Sequence, residues 1–169
     1  MTFSIYDASA PLFIASLNDM KLWLDKAEAE KGEAAVIDAR LAPDMHPLPS
    51  QFQMASDAAK GAMARLAGSE PPSMPDTETS FAELRDRCDK TIAFIESVGA
   101  DALADAADRE VVLKFPNGMG YRFTGAAFLT GFALPNFYFH VTTAYAILRN
   151  AGVTVGKPDF LAHLGRPNL

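Results

Sequence analysis

A single cysteine, Cys88, stands among 169 residues, which excludes an internal disulfide framework and any multi-cysteine zinc site and fits a reducing compartment. Basic clusters are also missing. Lys and Arg number 15 against 21 Asp and Glu, giving a net charge of −6. Nucleic-acid surfaces gather Lys and Arg on one face, so no nucleic-acid partner is expected. No Gly-rich phosphate loop occurs, nor a Ser-centred elbow between a strand and a helix, so the common nucleotide-binding and serine-hydrolase signatures are absent. The opening MTFSIYDASA has no basic flank ahead of an apolar core and is broken by Asp7. It does not read as a signal peptide, and the cytoplasm is the expected location. Histidine is scarce, with only His46, His140 and His163.

Apolar residues make up 49% of the chain, enough at this length for the core of one domain, taken as residues 1–169. The most apolar stretch runs from Thr124 to Leu148 with no Asp, Glu, Lys or Arg. Its length would suit a bilayer span. Pro135, Asn136, His140, Thr142 and Thr143 interrupt it, however, and polar groups inside a span are expensive. The expected reading is a helix surrounded by other helices, with no membrane partner.

Periodicity predicts four helices. Phe13, Leu17, Met20 and Leu24 recur at helical spacing within a first helix from Ile5 to about Glu30, with Ser4 as N-cap and Asp7 at its third position. Pro43, Pro47 and Pro49 then predict a long crossover. Ser50 and Gln53 read as a capping box for a second helix that Gly68 ends. A Pro-rich loop leads to another box, Ser80 and Glu83, opening a third helix whose core stripe is Phe81, Leu84, Cys88, Ile92 and Ile95. Cys88 on that stripe reads as an inert buried thiol. Asp76 and Glu78 sit just before the cap, where negative charge favours a helix N-terminus. From Glu110 to Phe123 the period changes to two, and Asn117-Gly118 marks a hairpin. Thr124 caps the last helix, stapled by Phe123 and Phe128, and the tail to Leu169 reads as irregular. The expected fold is therefore all-α: a four-helix bundle with a long crossover after the first helix and a small β-hairpin before the last.

The hairpin followed by a final helix closing at AYAILRNAGV resembles the DinB/YfiT-like four-helix bundles, a superfamily regarded as metalloenzymes. Within it, QFQMASDAAKGAMARLAG, the acidic pair around Asp76 to Glu78, and ALPNFYFHVTTAYAILR followed by GKPDF look like an uncharacterised family of about this length, and the likeness covers nearly the whole chain. The resemblance implies one histidine on the second helix and a His-x-x-x-His pair on the last, holding a metal with an open face for thiol-dependent S-transfer or isomerisation. Here His140 matches the second histidine of the pair. The first position is Asn136, and the second helix has no histidine, its nearest substitutes being Gln53 and Asp57.

Zinc and nickel favour imidazole and thiolate over neutral amide oxygen, so a metal site built from His140, Asn136 and Asp57 would be weak. Recruiting His46 and His163 would draw on a Pro-flanked loop and the tail. Two readings follow. In the first, the altered triad is a polar pocket or network in a metal-free, dimeric, small-molecule-binding or structural domain; Gln53, Asn136, Phe137 and Thr143 are candidate pocket residues, and Phe132, Phe139 and Tyr145 candidate aromatic lining. In the second, His140 serves as metal ligand or general base, oriented by Asp57 and Asn136, in a metal- and thiol-dependent S-transferase or isomerase. An inward-facing Asp57 is the natural partner for a protonated His140, whereas Asp57 and Lys60, three apart, can also pair on the helix surface. Homodimerisation is expected from the apolar content of the last helix, and no cofactor is expected.

Overall fold

The spacing of Phe13, Leu17, Met20, Leu24 and Ala27 puts all five on one side of a helix, and in the computed structural model all five are fully buried. The structure describes residues 4–115 and 117–166. Helix α1 spans Ala10–Lys31, α2 Leu48–Ala67 and α3 Phe81–Ser97. Strands β1 (Glu110–Lys114) and β2 (Gly120–Thr124) form an antiparallel hairpin in which Val112 pairs with Arg122. The last helical column is composite: α4 (Gly125–Phe128), a π-helical turn over Leu129–Ala133, and α5 (Leu134–Asn150). A short α6 (Lys157–Phe160) follows. Helices α1 and α2 each pack on both α3 and α5, enclosing one apolar cluster that also takes in Val111, Leu113 and Phe128. Each large side chain fully buried there, such as Phe13, Phe52 or Phe81, contributes about 1.5–3 kcal/mol.

Several local signals act as expected. Ser80 and Glu83 form the reciprocal capping box of α3. Gly68 ends α2 in the left-handed conformation at φ 73°, a region where a Cβ is penalised. Thr124 Oγ1 accepts from Ala127 N, and the Phe123 and Phe128 rings lie 6.0 Å apart as a staple. The hairpin loop closes through Phe115 N–H to Met119 O at 2.8 Å, with Gly118 at φ 82°, the geometry of a three-residue loop ending in a left-handed residue. Pro116, the first residue of the expected turn, lies outside the described residues.

Three boundaries differ from the sequence reading. Ser4 and Asp7 do cap each other's backbone N–H groups, both at 3.1 Å, but residues 5–9 form turns and α1 begins at Ala10. Pro11 therefore sits in the first turn of α1, where its missing N–H has no partner to lose. Helix α2 starts at Leu48, with Pro47 as N-cap and Pro49 in the first turn, so Ser50 is not its cap. The Leu48 N–H donates to Ala39 O at 2.9 Å, which ties the crossover to the helix start. As far as Phe160 the tail is built into the fold: Val153 and Val155 are buried, Phe160 stacks on Trp23 at 5.5 Å, and the Trp23 indole N–H donates to Asp159 O at 2.9 Å.

The π-helical turn has a local cause. Pro135 lacks the N–H that would reach the carbonyl of Gly131, and its ring would press on that carbonyl in a regular helix; widening the turn just before it relieves both. Phe137, Val141, Ala144, Ile147 and Leu148 of α5 are buried, so the apolar content of the last helix goes mainly into the chain's own core. Among the described residues no helix is long and apolar enough to cross a membrane.

Candidate functional site

The π-helical turn and α5 present Phe132, Asn136 and His140 along one side, facing α2 and the end of β1. The space between them is a cleft of about 430 Å³. Met54, Ala58, Ala62, Phe128 and Phe132 supply apolar walls, Leu113 and Phe115 come from the hairpin, and Asp57, Arg65, Asn136, His140 and the hairpin's Lys114 are its polar residues. That mixture of apolar lining with a few convergent polar groups is the usual composition of a small-molecule pocket.

His140 is held by a residue the sequence reading missed. Its Nδ1 lies 3.0 Å from Oε1 of Gln51, whose amide nitrogen donates to the backbone carbonyl of His46 at 3.1 Å. A carbonyl only accepts, so the Gln51 amide must point its nitrogen at His46 and its oxygen at His140. Nδ1 of His140 therefore carries a hydrogen. Burial, reinforced by nearby His46, pushes the imidazole pKa below the usual histidine value, so at neutral pH the ring is uncharged and Nε2 keeps its lone pair. The signal for Gln51 was present: positions 51, 55, 58 and 62 share one face of α2, and that face packs on α5.

Asp57 also lines the cleft, but cations hold it. Nη2 of Arg87 donates to its Oδ1 at 2.8 Å, and Lys60 Nζ pairs with the same oxygen. Arg87 is 2% exposed and further binds Asp76 Oδ1 at 2.9 Å, Glu78 Oε1 at 2.9 Å and Pro75 O at 3.1 Å. Asp76 and Glu78 thus anchor the Pro-rich loop to this arginine, in place of the helix-terminal role expected from their position. Burial raises the Glu78 carboxyl, but hydrogen bonds from Arg87, its own backbone and Gln53 outweigh that and hold it below the usual glutamate range. Arg87 was legible as a cation inside an apolar stripe, since Leu84, Arg87, Cys88 and Thr91 follow helical spacing and all are buried.

The remaining candidates lie elsewhere. Gln53 donates to Glu78 at 3.0 Å and belongs to the Arg87 network. Phe137 is fully buried against Phe13, with ring centroids 4.8 Å apart; as the neighbour of Asn136 it is turned roughly 100° away around the helix. Thr143 is buried and donates to Phe139 O at 2.7 Å, one turn back. Phe139 points to solvent at 58% exposure, and Tyr145 packs on Trp23 and Phe160. Only Phe132 of the expected aromatic lining reaches the cleft. Cys88 is fully buried.

A family profile described as "Domain of unknown function (DUF1993)" matches residues 5–161. The chain belongs to the DUF1993 family. A DinB family member protein from Shewanella denitrificans, known from its crystal structure, is 37% identical to this DUF1993 chain, with a TM-score of 0.88 over 98% of this chain and 96% of that one. No curated protein matches it. The DUF1993 chain thus has a DinB-like fold.

The residues present do not fit the metal centre that the DinB resemblance implies. Among the described residues no group of three or more His, Cys, Asp or Glu side chains is placed to hold an ion. Asp57 is committed to two cations, Asn136 offers a neutral group, and His140 has one nitrogen committed to Gln51. Such a donor set is poor for zinc or nickel.

Proposed function

We propose that this DUF1993 chain is a small-molecule-binding domain whose site is the cleft between α2, the hairpin and the last helical column, and that binding needs no metal. In this reading the four long helices form a DinB-type four-helix bundle, a single domain in which the hairpin closes one side of the pocket. The observation that carries the proposal is a neutral His140, fixed in one tautomer by Gln51, at the polar end of a largely apolar cleft of about 430 Å³. Burying a histidine beside a hollow, with Nε2 making no protein hydrogen bond among the described residues, leaves an acceptor for a ligand's N–H or O–H. Asn136, one turn away, adds an amide, and Met54, Phe128 and Phe132 offer faces for an apolar body. The cleft's lining residues come from α2, the hairpin and the last helical column of one chain.

The metal-dependent S-transferase or isomerase reading would need strong ligands beside His140, which the donor set lacks. Ligand-observed NMR with small aromatic fragments on wild type and Ala58→Trp tests the binding reading. Ala58 lines the cleft, and an indole there fills it. Fragments that bind wild type and lose contact with the variant support the proposal. A screen without such fragments, or hits indifferent to Ala58→Trp, would refute it.

A further inference from the structure

The chain carries a net charge of −6, yet the uncompensated charge of its cleft is positive. Three lining residues carry a formal charge: Asp57, Arg65 and Lys114. Asp57 is paired with buried Lys60 and with buried Arg87, which it shares with Asp76 and Glu78, so at the lining itself two cations stand against one carboxylate. Arg65 and Lys114 form no ion pair among the described residues. Two unpaired cations at an apolar cavity in an acidic protein form a local attractive field for an anion.

The placement of Arg65 strengthens the point. Gly61 lies one turn earlier on α2 and is buried; a Cβ added to it would fall 2.5 Å from Nη1 of Arg65. The guanidinium is therefore folded back along the helix over the glycine, half-buried at the cleft wall, where an extended arginine would reach into water. Glycine weakens a helix interior relative to alanine. Here its missing side chain provides the bed on which the guanidinium rests, beside apolar Ala58 and Ala62 of the same cleft. A guanidinium held this way offers a planar fork of donors to a carboxylate or similar group.

We propose that the cleft selects small amphipathic anions, seating a flat apolar body on Met54, Phe128 and Phe132 and holding a carboxylate-like head at Arg65 and Lys114. This rests on the cleft being a ligand site, as argued above. The neutral His140 and Asn136 then serve polar groups on the body of the ligand, and the charged head is read by the two cations.

The test titrates the full chain with naphthoate and naphthamide, which share a ring system and differ in charge. At low ionic strength wild type is expected to bind naphthoate about tenfold or more tighter than naphthamide, with the preference shrinking as salt is added. In Arg65→Gln combined with Lys114→Gln, whose thermal melt should match that of wild type, the ratio of naphthoate to naphthamide affinity should fall to about one. Equal affinities in wild type would overturn the anion proposal and leave the cleft as a ligand site. A naphthoate preference that survives in the double variant would overturn it as well. Binding of neither probe would overturn this proposal together with the reading it rests on.

Discussion

Replacing Arg87 by Met removes the buried cation that ties α2, α3 and the Pro-rich loop together, and the size of the effect follows from how exposed its partners are. The side chains of Asp57 and Asp76 are 44% and 57% exposed, so loss of their pairing contributes little, about 0–1 kcal/mol in total. Glu78 is different, with a side chain only 13% exposed. Stranding one partner of a buried ion pair costs about 3–5 kcal/mol, reduced here because Gln53 still donates to Glu78. Nε of Arg87 is buried without a partner, and removing that orphaned donor offsets about 1 kcal/mol. A net destabilisation of about 2–3 kcal/mol is expected for Arg87→Met at neutral pH.

The pH dependence gives a second reading of the same variant. The Glu78 pKa is depressed in the folded chain, so its contribution is present above the unfolded value of about 4.3 and is lost as pH falls through the folded value. Without Arg87 the largest opposing influence is gone and burial dominates. The gap between wild type and variant should be widest at neutral pH and narrow as the pH drops below the unfolded glutamate value. Urea unfolding across that range measures both. A variant within about 0.5 kcal/mol of wild type at neutral pH, or a gap that does not change with pH, would refute the reasoning.

Other consequences are testable with equally simple variants. Gly125→Ala should cost about 1–3 kcal/mol, because its Cβ would fall 1.8 Å from the backbone oxygen of Ala106. Gly61→Ala should be neutral or stabilise by up to about 1 kcal/mol, since the atom in its way is the movable end of Arg65; thermal melts of the two variants that reversed this order would contradict the geometry. Asp19 is 2% exposed and binds Nδ1 of His163 at 2.6 Å; burial raises its pKa and His163 only partly opposes that. A raised folded value means that its favourable contribution exists below the unfolded value of about 3.9 and is lost as pH rises through the folded one. Asp19→Asn should therefore gain on wild type from acidic to neutral pH, and parallel stability curves would count against this. The Cys88 thiol is pushed up to about 12 by burial, so a thiol-specific disulfide reagent should react with it only as fast as the chain unfolds; stoichiometric labelling of native protein within the dead time would contradict its burial.

Much of the fold was legible because its signals are local. The Ser80–Glu83 box, Gly68, the Asn117-Gly118 turn and the Phe123–Phe128 staple each act within a few residues, and each lies where the pattern put it. The errors cluster at proline. Pro47 and Pro49 read as part of a crossover, although proline suits the first turn or cap of a helix and both lie at the start of α2. The tail was harder to read, since its order depends on Trp23 and Asp19, more than 130 residues away in sequence. The site was half legible: spacing paired Asn136 with His140, and both line the cleft. What spacing does not convey is which residues on other helices answer them. Gln51 and Arg87 each sat on an apolar helix face, where a polar residue signals a partner across the core, but the partner's identity depends on packing between helices.

On the reading proposed for this chain, the His140 cleft binds small molecules without a metal. The most direct measurement is fragment affinity for tag-free protein purified without chelator, taken before and after chelator treatment, with metal content determined on the same sample. Metal well below stoichiometric and an affinity that chelation leaves unchanged are expected. Near-stoichiometric metal that disappears in His140→Ala, with binding abolished by the chelator, would contradict it.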